Sequence, residues 1–258
     1  MSRISVYILT YNEEEKIEEA IQTVTWADEI VIIDSFSTDS TVEICRRYTD
    51  KIVQLEFEGF GKLRIDALAN TSFGWIFSLD ADERCTPEAA DEIKRIISGS
   101  DSADAYYVPR RNYFMGRWIK HSGWYPDYRQ PQLFRRGAVE YHDDMVHEGY
   151  TVHGSVGYLK SDIWQFPYRD LSQLIDKMQN YTTLGAQKLA DKGRKSGMGS
   201  AFIHGSWAFV RTYFFKLGIL DGWPGFIIAL SGFEGTFYRY AKLAERERNK
   251  DPHRKDRS

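Results

Sequence analysis

Trp75 to Glu83 reads WIFSLDADE. The apolar run from Trp75 to Leu79 has the length and composition of a strand buried on both faces, and it ends on three acids within four residues. Asp80 and Asp82 are two apart, so in an extended chain both carboxylates project to the same side. Side by side they repel, and a divalent cation that takes oxygen ligands is the commonest offset. Acids at strand ends are also ordinary solvated loop residues, so the pair does not decide the reading alone. Its place in the chain does.

Upstream, Ile4 to Leu9 reads as a buried strand and is followed by an amphipathic helix with Ile17, Ile21 and Val24 on one face, for which Asn12 and Glu15 resemble a capping box. Glu29 to Asp34, EIVIID, is a second strand. Ser40 to Tyr48 reads as a helix with Ser40 and Glu43 as its capping pair. A third strand spans Lys51 to Leu55, a helix spans Lys62 to Asn70, and Thr86 with Pro87 opens a helix to Ile97. Strand and helix alternate, which predicts an α/β fold with a doubly wound, mostly parallel sheet. Ligands of such sheets gather beyond the carboxyl ends of the strands. Three polar clusters fall there: Thr10 to Asn12, Asp34 to Asp39, and Asp80 to Glu83. A second strand ending in DSFSTDST places Asp34, Ser37 and Asp39 in the crevice of the acid pair, and the two clusters together point to a nucleotide-sugar site in which the acids hold Mg²⁺ or Mn²⁺ against a diphosphate.

Beyond Ser100 the alternation stops. AYYVP and PQLFRR read as strands set among loops rich in Arg, Trp and Tyr. Arg110, Arg111, Arg117, Lys120, Arg129, Arg135 and Arg136, interleaved with Trp118, Trp124, Tyr125 and Tyr128, suit a phosphorylated saccharide acceptor, because arginine binds phosphate bidentately and rings cover sugar faces. A groove for single-stranded nucleic acid would use the same residue types. The metal crevice favours sugar, and a formal charge of -3, with 34 Lys and Arg against 37 Asp and Glu, leaves no global basic field for a nucleic-acid partner. Two cysteines, Cys45 and Cys85, lack metal-ligand spacing and suit a reducing compartment. MSRISVYIL lacks the parts of a signal peptide, so a cytoplasmic protein is expected. HEGYTVH superficially suggests a zinc protease, but His153 follows His147 by six positions instead of the four that would share a helical face.

The motifs ILTYNEE, VIIDSFSTDST, GKLRIDAL and LDADE, in that order, resemble the family 2 glycosyltransferases of GT-A fold. The second half, with RRNYFMGRWIKHSGWYPDYRQPQLFRRG, VHEGY and RTYFFKLGILDGWPGF, resembles the narrower branch of lipopolysaccharide inner-core β-glucosyltransferases. This resemblance implies a metal-dependent inverting transfer of a hexose, glucose from UDP-glucose, to a lipopolysaccharide core acceptor. It implies that Thr10, Tyr11 and Glu13 border the nucleotide, that Asp34 reads the base or ribose, that Arg64 approaches the nucleotide or its phosphates, and that Asp80 and Asp82 hold the metal, Asp80 also meeting the ribose. It further implies Glu148 as the base that deprotonates the acceptor, with Asp127 as the rival and His147 orienting a phosphate or completing the metal shell. Ser35 and Phe36 stand where many members carry an acid and a glycine, and Gln165 stands where the narrower branch usually has histidine. Other readings of the same motifs are transfer to a polyprenyl phosphate or another surface glycan, and a non-catalytic nucleotide-sugar-binding module.

Residues 1–165 are thus expected to form the catalytic domain, 166–247 a helical extension and 248–258 a disordered tail. Within the extension, Phe202 to Tyr240 is dense in aromatic residues, carries no run of about 20 apolar residues, and is broken at Gly222 to Gly225. A pair of helices lying in the membrane interface is expected, attaching the protein peripherally to the cytoplasmic face of the inner membrane. A helical hairpin packed on the catalytic domain or in a dimer is the alternative.

Overall fold

The computed structural model describes residues 2–99, 102–142 and 149–250, and the chain divides into two compact units, 1–111 with 126–166 and 112–125 with 167–258.

The first unit begins as the alternation requires: β1 (Ile4–Thr10), α1 (Ile17–Gln22), β2 (Glu29–Asp34), α2 (Thr41–Cys45), β3 (Ile52–Gln54), α3 (Phe60–Asn70), β4 (Trp75–Asp80), β5 (Glu83–Cys85) and α4 (Pro87–Ser98). It continues through β6 (Ala105–Tyr107) to the start of β7 (Arg110–Phe114), whose remainder, with β8 (Arg117–Trp118), belongs to the second unit. Then come β9 (Pro131–Arg135), β10 (Val139–Tyr141), β11 (Tyr150–Val152), β12 (Val156–Tyr158) and β13 (Ile163–Gln165). Seven strands form one sheet in the order β12-β6-β9-β4-β1-β2-β3. β1 runs parallel to both β2 and β4, β2 to β3 and β12 to β6, while β9 runs antiparallel to its neighbours β4 and β6. The mostly parallel sheet expected from the alternation is therefore present, with β9 as the reversed strand.

β1 is buried at all seven positions, as a central parallel strand covered on both faces must be. Ile4, Val6 and Ile8 pack with Ile17, Ile21, Phe77, Leu79 and Ile93 on one face, and Tyr7, Leu9, Val31, Ile33 and Phe134 form the core of the other. Thr86 caps α4 by accepting from the Ala89 N–H at 3.2 Å, with Pro87 at the first helical position, as the sequence indicates. Two expected caps are absent. Neither Asn12 nor Ser40 caps a helix through its side chain: α1 begins only at Ile17, and Asp39 takes the Thr41 N–H at 3.0 Å.

At the opposite end of the sheet from the acids, Glu29 is buried and receives Lys51 Nζ, the Ser5 hydroxyl and the Ser72 hydroxyl and N–H, the last at 2.8 Å. Burial alone would raise its pKa, but these donors outweigh it and bring the carboxyl from an ordinary 4.5 down to about 2.

The second unit consists of residues 112–125 with α5 (Leu171–Asp191), α6 (Met198–Val210), a π turn (Arg211–Phe215), a 3-10 turn (Gly218–Asp221) and α7 (Gly222–Lys250). Phe114, Ile119, Leu174 and Ile228 form its core, with Trp124, Tyr168 and Ile227 packed against them. The sequence reading assigned 112–125 to the catalytic domain, but these residues are held by the helices. Asp221, buried in α7's approach, accepts from the backbone N–H of Lys120 and His121 at 3.1 Å and from the Ser122 hydroxyl at 2.8 Å. α7 continues through Lys250, past the expected start of the tail at 248, and residues 251–258 lie outside the described residues.

A depressed folded-state pKa gives stability that is complete above the ordinary value and lost as pH falls through the depressed one. Glu29→Gln is accordingly expected to lower the urea midpoint at neutral pH, and its gap from the parent protein is expected to close as pH falls from 4.5 towards about 2. A gap that does not narrow over that window, measured by urea titration at stepped pH, overturns the role given to the ionised carboxylate.

Candidate active site

Parallel pairing brings the three polar clusters to one edge of the sheet. Thr10 is in register with Asp34 of β2, and its neighbour Leu9 is in register with Asp80 of β4. Strand order reverses direction at β1, which places these strand ends at the switch point where open α/β sheets bind ligands.

Asp34 is wholly buried. Its carboxylate accepts from the Ser37 N–H at 3.0 Å, from the Ser37 hydroxyl and from Gln54 Nε2 at 2.9 Å, so it shapes the turn after β2 as well as lining the crevice. That turn is tied to the loop after β1: the Asn12 N–H donates to Ser37 Oγ at 2.9 Å and the Thr38 N–H to Asn12 Oδ1 at 2.8 Å. Asn12 and Phe36 both hold positive φ, 52° and 57°. Asparagine tolerates this conformation, whereas a phenylalanine there is strained, and such strain collects at functional sites. Tyr11 and Phe36 are left more than half exposed, at 57% and 51%. Glu13 donates its N–H to Thr41 Oγ1 at 2.9 Å and its carboxylate pairs with Lys16 at 3.8 Å, while Thr10 Oγ1 is buried with no partner among the described residues.

Arg64, buried on α3, reaches Asp80 Oδ1 at 3.5 Å and Ser78 Oγ at 3.2 Å. With its oxygen turned to the guanidinium, the Gln130 amide accepts from both Nη atoms at 3.0 Å. Burial opposes the charge on Arg64, but Asp80, Tyr7 and Tyr141 outweigh it and raise its pKa. The crevice therefore keeps Arg64 charged beside Asp80.

Asp82 lies 3.4 Å from Gln165 Nε2 through both carboxylate oxygens, and its own carbonyl accepts the Phe166 N–H at 2.8 Å. Gln165 Oε1 is buried and has no partner among the described residues. No three His, Cys, Asp or Glu side chains converge among the described residues. Two carboxylates with an unmatched amide oxygen nearby nevertheless suit a hard divalent cation, since Mg²⁺ is usually held by one or two carboxylates and completed by substrate phosphates and water. The residues present fit Mg²⁺ or Mn²⁺ in this role.

Glu83 escaped the sequence reading. It is wholly buried, and it accepts from Arg110 Nε at 2.6 Å, from Gln132 Nε2 at 2.8 Å and from the Asp80 N–H at 3.0 Å. Its only signal in the sequence is that a third acid follows the pair. Arg110 is itself buried and also donates to the Asp127 carbonyl at 3.0 Å.

The basic stretch does not form one acceptor face. Arg110 is engaged inside, Arg111 pairs with Asp162 at 2.5 Å, and Arg136 donates to the Leu68 carbonyl in the last turn of α3 and to the Thr71 and Phe73 carbonyls that follow it. Arg117 and Lys120, with Trp118, Trp124 and Tyr125, belong to the second unit. Asp127, the rival base, is ion-paired with Arg129 at 2.7 Å. His147 and Glu148 lie outside the described residues, in the connection between β10 and β11. The flanks of that connection are fixed. Tyr141 shares a 3.4 Å hydroxyl contact with Tyr7, and Tyr150 meets the Tyr107 hydroxyl at 2.9 Å and the Arg129 carbonyl at 3.3 Å.

Residues 5–165, which contain this whole crevice, match the glycosyl transferase family 2 pattern. The chain belongs to that family. Over 94% of its length and 92% of the relative's, it is 29% identical to the lipopolysaccharide core biosynthesis glycosyltransferase LpsC of Rhizobium meliloti. It is 26% identical to an uncharacterized glycosyltransferase of Rickettsia typhi over 95% of this chain and 88% of the other. A solved structure of S. aureus TarS, residues 1–349 in complex with UDP-GlcNAc, superposes with a TM-score of 0.51 at 18% identity, covering 96% of this chain and 92% of that one. The family 2 assignment makes the protein an inverting glycosyltransferase, and its α/β architecture is of the GT-A type.

Removing one member of a buried ion pair strands its partner at a cost of about 3–5 kcal/mol, whereas replacing both with apolar residues of similar volume is far milder. Glu83→Gln is expected to lose about that much in urea unfolding, and Glu83→Leu combined with Arg110→Met to recover most of it. Equal losses in the single and the double variant sink the pairing as the source of stability.

Proposed function

We propose that this enzyme transfers a hexose, glucose carried on UDP, to a saccharide of the lipopolysaccharide inner core, working in the cytoplasm at the inner membrane. The observation that carries the reading is the placement of Asp80 beside Arg64 at the β1/β4 switch point, with Asp82 two residues on in the turn that follows, an arrangement matched to a nucleoside diphosphate. The similarity to LpsC over nearly the whole chain supports the acceptor class.

Thr10, Tyr11, Glu13 and Asp34 border the nucleoside, Tyr11 and Phe36 offering exposed rings beside it. Arg64 presents its charge to the diphosphate. Asp80 and Asp82 would hold Mg²⁺ or Mn²⁺, with Gln165 Oε1 and His147 as further donors, and the ion would supply Lewis-acid stabilisation of the departing UDP. Glu148 takes the proton of the acceptor hydroxyl as that oxygen attacks the anomeric carbon. The new carbon–oxygen bond forms on the face opposite the breaking bond to the β-phosphate oxygen, and configuration inverts. Asp127, whose carboxylate pairs with Arg129, is the rival base.

Purified enzyme incubated with a panel of nucleotide sugars, Mn²⁺ and core oligosaccharide is expected to release UDP and add one hexose, read by mass spectrometry. Asp82→Asn is expected to abolish transfer and also the metal-dependent gain in UDP affinity measured by calorimetry, because the group lost is the one that holds the ion. A variant that still binds UDP more tightly with Mn²⁺ removes Asp82 from the metal site.

Glu148→Gln is expected to keep UDP-glucose binding while turnover falls on the order of a hundredfold or more, the loss typical of a missing general base. Asp127→Asn is expected to retain far more turnover. The reverse ranking of the two variants exchanges their roles.

A further inference from the structure

The second unit exposes apolar side chains at one bend of the chain. Ten large hydrophobic residues between Met198 and Trp223 are exposed, with Phe215 at 70% and Trp223 at 77%. Single exposed hydrophobics are ordinary on a folded protein, but a cluster of this density marks an interaction surface. Rings bind it together: Trp207 lies 5.7 Å from Phe215, Tyr213 lies 5.2 Å from Phe214 and 5.8 Å from Phe226, and Phe226 lies 5.9 Å from Trp223.

The bend is built, so these side chains are held outward. Helical segments Met198–Phe215 and Gly218–Asn249 meet at 70°, with Leu217 between them in the left-handed region at φ 56°. Asp221 clamps the bend to the backbone of Lys120 and His121, and the Ser122 N–H donates to the Lys216 carbonyl at 2.8 Å. The turns are closed to a side chain as well: a Cβ on Gly225 would lie 1.9 Å from the Gly218 carbonyl oxygen. A loose segment would fold such rings inward, whereas this one cannot.

Charge selects the occupant. From Lys192 to Phe233 the chain has one acid, Asp221, which is buried, against five cations, Lys192, Arg194, Lys195, Arg211 and Lys216, all exposed. A second copy presenting the same face would meet it with like charge, whereas anionic headgroups complement it. Aromatic rings with Lys and Arg at their margin are also the composition that settles at the boundary between headgroups and acyl chains. No single helix among the described residues is long and apolar enough to cross a membrane.

We propose that the α6–α7 elbow, residues 198–223, seats in the interface of an anionic lipid bilayer, inserting Phe214, Phe215, Leu220 and Trp223 below Arg211 and Lys216 at headgroup level. The Asp221 clamp keeps the elbow in the inserting shape.

Flotation of the full chain with vesicles of equal parts phosphatidylcholine and phosphatidylglycerol tests this without any assay of transfer. The parent protein is expected to float with those vesicles, far less with phosphatidylcholine alone, and less as salt rises. Phe215→Ser with Leu220→Ser and Trp223→Ser, all exposed and so compatible with an unchanged melting curve, is expected to weaken binding about tenfold or more. Arg211→Gln with Lys216→Gln is expected to weaken it on the anionic vesicles only. Parent protein that stays unbound to anionic vesicles overturns the proposal, as does a triple variant that floats as well as the parent. A triple variant that converts a parent dimer to monomer in sedimentation, with neither form binding vesicles, assigns the elbow to a protein interface instead.

Discussion

A carboxylate with no access to water must find its charge and its donors inside the protein, and Glu83 finds them on three strands at once. Arg110 on β7, Gln132 on β9 and the backbone of Asp80 on β4 all converge on it. Sheet pairing sets the direction of β4, but pairing ends at Asp80, and beyond that point the chain needs another constraint. Glu83 supplies it by pulling the turn back onto the strand's own last N–H, which fixes where Asp80 and Asp82 stand. Arg84 reinforces the turn from the other side, donating to the Ala81 carbonyl at 3.1 Å and the Lys16 carbonyl at 2.8 Å. Buried ion pairs contribute little net stability but penalise every arrangement that breaks them, so this pair specifies geometry more than it adds free energy.

That geometry presents a problem of charge to any diphosphate. Asp34, Asp80 and Asp82 stand at strand ends and the turn after them, with Arg64 3.5 Å from Asp80, so an anionic ligand entering there meets carboxylates as well as a guanidinium. In the proposed function a divalent ion would offset this for both parties at once, because it neutralises the carboxylates and the phosphates together. A complete cage would bind the ion without the substrate, whereas a two-carboxylate site leaves coordination positions for the phosphates.

Much of this was legible in the residues, and the failures have physical causes. The alternation of strands and helices, the crevice at β1 and the acid pair could be read because burial on both faces of a parallel sheet leaves apolar runs with no polar positions to confuse the period. Local caps were less legible. Asn12 carries the capping pattern with Glu15, yet its side chain is better satisfied by the Thr38 N–H across the crevice, a partner 26 residues away that no local pattern contains. The basic stretch misled for a related reason. Arg110 and Arg136 look solvated in a polar loop, but the first answers a buried acid and the second answers carbonyls left open after the end of α3. The membership of 112–125 in the helical unit rests partly on Asp221, about a hundred residues later, whose lone acid in an aromatic stretch reads only as an interruption.

Asp221 also explains how so apolar a bend keeps its shape while its rings stay exposed. The chain as a whole is mildly acidic, with a formal charge of -3, yet acids are excluded from the surface between Lys192 and Phe233. If that exclusion served solubility, charges of both signs would be mixed through the stretch, as they are along Glu245 to Lys250. If it served an internal core, the rings would be covered. Neither holds. The single acid kept there is turned inward to accept four backbone and hydroxyl bonds, which removes its charge from the surface and simultaneously locks the turn that displays Trp223 and Phe215. One residue thus meets two requirements of the proposed interfacial elbow, a rigid bend and a face without negative charge.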